Sequence, residues 1–156
     1  MLKKLSVLLT MGVVLVLVAC SGRRETTTVC VIDGIDFYGE TVPGYMAREF
    51  DAVGDRVTIS RERWVFDFEG DEDYIDEFVE ILEGEIELMR MMMVDGVTTE
   101  LTSVTDTTIT WVTTTNFDEL SDADLRMFIG DYDFISLELS VEIAESEGAT
   151  CNVINN

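Results

Sequence analysis

A chain of 156 residues with 32 acidic side chains, ten basic ones and no histidine carries a formal charge of −22 at pH 7, which excludes several functions before any motif is read. Such a charge repels nucleic acid and anionic lipid headgroups, and the missing imidazole removes Ser-His-Asp and Cys-His chemistry and disfavours ordinary zinc and copper sites. The length suits one domain with one continuous core; two would be crowded.

The opening residues, MLKKLSVLLTMGVVLVLVACSG, combine positive charge at Lys3 and Lys4, an apolar run, and a small residue, Ala19, directly before Cys20. This pattern resembles the lipobox of bacterial lipoprotein signals. The resemblance implies that the Cys20 sulfur is diacylglycerated, that the chain is cut before it and that the new N-terminus is acylated. Residues 5–19 fall short of the roughly 20 that a helix needs to cross a hydrocarbon core, and no basic stop-transfer cluster follows. One acyl chain anchors marginally and two anchor stably. The expected location is therefore the extracytoplasmic face of a bacterial membrane, with the lipid as the sole membrane contact. Residues 1–19 read as signal peptide, 20–28 as a lipidated tether and 29–156 as a single domain. Without the leader the chain keeps 137 residues, with eight arginines and no lysine against 32 acids, a side-chain charge of −24. That surface attracts cations or a basic partner, or suits a salty medium that screens its repulsion.

Residues 29–32, β-branched around Cys30, predict a first strand ended by Asp33-Gly34. Residues 36–44, with Gly39, Pro43 and Gly44, predict a loop. Residues 45–53 and 56–66 flank Gly54-Asp55 and predict a hairpin. An acidic stretch then opens a helix over 73–90, because carboxylates suit the positive end of a helix dipole. Ile75, Phe78, Val79, Leu82, Ile86 and Met89 form its apolar stripe, with Gly84 a weak point. Asp95-Gly96 stops the run. Residues 97–104 and 107–115 predict a second, threonine-rich hairpin whose threonines suit an exposed sheet face. Ser121 and Asp124 cap a short helix with Leu125, Phe128 and Ile129 inward, ended by Gly130. Ser136 caps a last helix carrying Leu137, Val141 and Ala144 on one side, ended by Gly148. Strand pairs adjacent in sequence, followed by helices, give an α+β class: an antiparallel sheet built from hairpins with helices packed on one face.

The lipobox, Gly54-Asp55-Arg56-Val57 on a hairpin turn, the acidic helix, Asp95-Gly96-Val97, the hairpin reaching Trp111 and the closing Glu147-Gly148-Ala149 together resemble the YehR-like family of small bacterial lipoproteins. The resemblance spans most of residues 26–156. It implies an α+β domain without an established activity and supplies no catalytic residues. The basic residues of that family are largely missing here, so no charge-based inference carries over.

Three groups of residues bear on chemistry. Cys30 and Cys151 remain once Cys20 is lipidated; in an oxidising compartment they would join the first strand to the chain end, with a Cα separation of about 4.4 to 6.8 Å. Two separately buried thiols are the alternative. Asp67, Glu69, Asp71 and Asp73 alternate and offer oxygens to calcium. The calcium-loop pattern fails, however, with Glu72 at its sixth position and Phe78 at its twelfth, and a solvated helix start is the plainer reading. Asp131 and Asp133 form a carboxylate pair of the kind glycosidases use, although close pairs are expected by chance among 32 acids. The expected function is thus a non-catalytic, lipid-anchored envelope module that contacts a protein or cell-wall component and needs no cofactor. The alternatives are a divalent-cation-binding domain and a carboxylate-dependent hydrolase.

Overall fold

In the computed structural model the chain runs β1 (Glu25–Phe37), β2 (Glu40–Val53), β3 (Arg56–Asp67), α1 (Ile75–Met92), β4 (Val97–Val104), β5 (Thr108–Asn116), α2 (Asp122–Ile129), α3 (Leu137–Ser146) and β6 (Thr150–Ile154). The structure describes residues 25–37, 39–69, 74–92, 94–130 and 132–154. Six strands form one sheet in the order β4-β5-β3-β2-β1-β6, and every neighbouring pair is antiparallel. The α+β class predicted from sequence is the one observed.

The Gly54 turn forms as its sequence predicts, with a positive φ of 68° that glycine adopts without strain. Asp55 then reaches beyond the hairpin. Its backbone carbonyl accepts the Leu137 N–H and its carboxylate accepts the Glu138 N–H at 2.9 Å, so the turn caps the start of α3. Those donors, chiefly the Glu138 N–H and then the Ser136 hydroxyl, hold the Asp55 pKa below the usual aspartate value.

Three stretches differ from expectation. Residues 36–44 form no loop: β1 and β2 continue as a hairpin to Phe37 opposite Glu40, with the Asp36 carboxylate accepting the Gly39 N–H. Pro43 is accommodated because Pro43-Gly44 fall at the register shift opposite Gly34, where the ladder needs no donor from proline. β1 begins at Glu25, so the last four residues of the expected tether belong to the sheet. Residues 150–154, to which sequence reading assigns no element of their own, form a strand, β6, paired to β1 from Thr27 to Val31, which puts Cys151 beside the first strand as the expected disulfide requires.

Register assigns the faces. Residues directly opposite each other share a face, so Phe50, Arg48 and Met46 lie with Ser60, Glu62 and Trp64, and Trp64 and Phe66 lie with Trp111 and Ile109. A bulge at Thr58 brings Val57 onto this same face opposite Ala52. Two helices cover it in two places. Ile75, Phe78, Leu82 and Ile86 of α1 bury themselves against Ile35, Phe66, Phe68, Ile109 and Trp111. Phe66 and Phe78 meet edge-on with centroids 4.9 Å apart. Ala144 of α3 buries against Cys30, Phe50, Ala52 and Val57, with Leu137 and Val141 half-buried beside it. Each fully buried large side chain here contributes roughly 1.5 to 3 kcal/mol of transfer free energy. Both short helices carry their predicted serine caps, with the Asp124 and Leu139 N–H groups donating to Ser121 and Ser136. Ile129 is buried and Leu125 half-buried; the Phe128 side chain lies outside the described residues.

Candidate functional site

Between the two apolar clusters the helix-bearing face turns polar. Here β2 presents Arg48 and β3 presents Ser60 and Glu62, while their neighbours on the same face are Phe50 on one side and Met46 and Trp64 on the other. Arg48 Nε donates to Glu62 at 3.0 Å and Arg48 Nη1 donates to Glu147, the residue that ends α3. Burial opposes the Arg48 charge, but hydrogen bonds from it to Glu147 and Glu62 outweigh this and raise its pKa above the usual arginine value. The second Glu62 oxygen accepts the Trp64 indole N–H at 2.8 Å.

Trp64 and Trp111 are stacked with centroids 6.0 Å apart, and each indole N–H has its own partner. Trp111 donates to the Thr99 hydroxyl at 2.6 Å, and Thr99 shares a 3.0 Å hydrogen bond with Thr113. Thr99 is 3 % exposed and faces the core, against the expectation that these threonines line a solvated face. A buried indole N–H needs an acceptor, and a β-branched hydroxyl supplies it from the neighbouring strand β4. Above this floor lies a cleft of about 450 Å³, with Trp64, Met89 and Phe117 as its apolar walls and Ser60, Glu62, Thr113 and Thr115 as its polar groups. The volume falls within the range of small-molecule sites, as does the mixture of apolar wall with a few placed polar atoms. With the indole nitrogens engaged, the cleft offers ring faces, hydroxyls and one carboxylate held in place by a guanidinium.

The residues singled out from sequence that the structure describes lie elsewhere. Cys30 and Cys151 are directly opposite on β1 and β6 and joined by a disulfide, with Cα atoms 4.0 Å apart. The separation is shorter than expected because the two residues face each other squarely across neighbouring strands. Asp67 closes β3 and accepts the Glu69 N–H at 3.0 Å, a local turn contact. Asp71 and Asp73 lie outside the described residues, as do Asp131 and the lipobox with Cys20; Asp133 is exposed. Among the described residues no three Asp, Glu, Cys or His side chains gather in a way that would hold a metal ion. Among them, too, no helix is long and apolar enough to cross a membrane. Sequence reading passed over Arg48, Glu62 and Trp64. The available signal was the alternation in β3, where Ser60, Glu62, Trp64 and Phe66 share one face and only half of that row is apolar.

No protein-family model matches the chain, and no curated protein matches it in sequence. Two solved structures share its fold. One is the NMR structure of the Escherichia coli protein YehR, at 14 % identity and TM-score 0.55 over 84 % of this chain and 92 % of that one. The other is the NMR structure of a protein from Streptococcus pneumoniae TIGR4, at 10 % identity and TM-score 0.52 over 82 % of this chain and 85 % of that one. At these identities the likeness is one of fold.

Proposed function

We propose that the chain is a non-catalytic binding module of the bacterial envelope, held to the membrane through a lipidated Cys20, and that it grips a cell-wall glycan in the cleft between its two helix-covered clusters. The cleft carries this reading. A sugar ring has an apolar face suited to Trp64 and a rim of hydroxyls suited to Ser60, Thr113, Thr115 and Glu62. Most glycosidases use two carboxylates flanking one bond, whereas among the described residues Glu62 is the carboxylate lining the cleft, and it is already engaged by Arg48 and Trp64. The Cys30–Cys151 bond supports an oxidising compartment outside the cytoplasm. The shared fold with YehR supports the same architecture and adds no ligand.

Both halves of the proposal can be tested. Trp64 and Trp111 are the two tryptophans of the chain, so intrinsic fluorescence reports on the cleft directly. Titration with N-acetylglucosamine oligomers and soluble peptidoglycan fragments is expected to give a saturable change that Trp64→Ala abolishes. A flat titration with both probes rejects the glycan reading. Cys20→Ser is expected to release the protein from the membrane or leave it unprocessed; unchanged lipid labelling of that variant rejects the anchor.

A further inference from the structure

The two edges of the sheet are finished differently. Edge strand β4 carries Glu100 and a bulge between Leu101 and Ser103, both of which discourage another strand from pairing there. Edge strand β6, with the sequence TCNVI, has no charge, no proline and no register shift against β1. Val153 and Ile154 are 59 % and 48 % exposed, and among the described residues no strand lies beyond them. Cys30 and Cys151, at 4.0 Å between Cα atoms, form a non-hydrogen-bonded pair, so the Cys151 backbone N–H and C=O point away from β1, as do those of Val153 two residues on.

Beside this edge runs a groove of about 670 Å³ between β6 and α3. Val141 and Val153 form its apolar bed, and Glu138, Glu142 and Glu145 line one flank of α3 at intervals of four and three, so that they face the groove together. None of the three is in an ion pair among the described residues. Thr28 also lines the groove, and its hydroxyl, on a residue 3 % exposed, has no hydrogen-bond partner among the described residues. A buried unpaired hydroxyl is uncommon and costs stability unless something meets it.

We propose that β6 is a docking edge to which an extended, basic segment of a partner protein adds as a further strand, its lysine or arginine side chains entering the groove along α3. Main-chain hydrogen bonds to Cys151 and Val153 would give affinity, and alternate side chains would give specificity. An inward-pointing lysine would lay its methylene stem on Val141 and Val153 and carry its ammonium to the glutamates, within a groove that Thr28 also lines. Charge decides between occupants. A second copy pairing edge to edge would bring two such acidic flanks together on chains of net charge −22, whereas a basic segment relieves that repulsion. The proposal does not depend on the cleft described above.

The test uses the full chain with its disulfide intact and a short synthetic peptide of alternating valine and lysine, with a valine–glutamate peptide as control. Calorimetry is expected to show saturable binding of the lysine peptide alone, with amide shifts concentrated in residues 151–154 and along α3. Val153→Pro removes an N–H that points away from β1, leaves the ladder whole, and is expected to weaken binding about tenfold. Should that variant fold poorly, Val153→Arg decides instead, since it places a competing cation in the groove. Equal binding of the glutamate peptide, shifts centred on the acidic face of α1, or affinity unchanged in the folded Val153 variant would each overturn the proposal. So would a dimer in sedimentation that Val153→Pro dissolves, because the occupant would then be a second copy.

Discussion

Arg48 Nη1 donates to the Glu147 carboxylate across 99 residues of sequence, and this contact fastens the end of α3 to a strand near the middle of the sheet. Because the same guanidinium also holds Glu62, one side chain sets both the position of the helix and the floor of the cleft. Arg48→Ala leaves two carboxylates facing each other without their cation. The groups are partly exposed, at 25 %, 34 % and 46 % of their side-chain surface, so solvent screens the loss. The expected cost is about 1 kcal/mol in urea denaturation, with Arg48→Lys recovering part of it. Arg56→Ala, which breaks a pair with Asp118 that is about half-exposed on both sides, should stay within about 0.5 kcal/mol.

The disulfide closes a loop spanning 121 residues. In the chain-entropy account a loop of that length stabilises by about 5 kcal/mol before native strain is counted, so reduction should lower the denaturation free energy by about 2 to 5 kcal/mol. Loss should begin at β6, whose residues are exposed apart from half-buried Cys151. Hydrogen exchange of the oxidised and reduced protein checks this: amides of 150–154 should lose protection before those of β2 and β3. Uniform loss across the sheet would place the effect in global stability alone.

The elements that sequence reading recovered are those whose signal is local. Gly54 between two β-rich runs, the spacing of Ile75, Phe78, Leu82 and Ile86, and serine at both short-helix caps each decide a structure within a few residues of themselves. What it missed depends on partners far away. Residues 36–44 look like a loop because Pro43 and two glycines lie there, and only pairing with β1 reveals a bulge that accommodates them. β6 is too short to announce itself and exists because β1 offers it an edge. The cleft was invisible for the same reason: Arg48, Glu62 and Glu147 come from three elements, and in a chain with 32 acids none of the carboxylates stands out until register puts it opposite an arginine.

Asp51 makes stability depend on pH in a predictable direction. Burial alone would raise its pKa, but hydrogen bonds from Thr27 and Arg61 and the Arg61 charge outweigh it, so the folded value lies below the ordinary one. A depressed carboxylate pKa means that the unfolded chain takes up the proton first. The stabilisation is therefore complete above the unfolded value of about 3.9 and is lost as pH falls through the lower folded value. The overall charge repulsion also relaxes as acids protonate, so the useful quantity is the difference between wild type and Asp51→Asn. That difference should be constant from pH 7 to about pH 5 and shrink toward zero in the window below about 4. A gap that persists undiminished at low pH would mean that the Asn variant suffers from shape and not from charge.

Two glycines should respond in opposite directions to the same added methyl. Gly84 lies within α1, and a Cβ built there meets nothing within 4 Å, so the helix gains propensity at no steric cost. Gly84→Ala should therefore stabilise by about 0.5 to 1 kcal/mol. Gly44 sits opposite Phe66 with a φ of 137°, in the region that favours glycine, and a Cβ there would run into the Val65 carbonyl of β3. The obstacle is the backbone of a paired strand, which cannot swing aside as a side-chain tip would. Gly44→Ala should then destabilise by roughly 2 to 4 kcal/mol, by parting β2 from β3 at the end that supports Ile35 and Phe66. Thermal unfolding of the two variants reads this as shifts of opposite sign, about 2 to 4 °C per kcal/mol for a chain of this size. A neutral Gly44→Ala would show that β3 can move away from β2 without disturbing the cluster under α1, and that the close approach at this point is not what fixes their register.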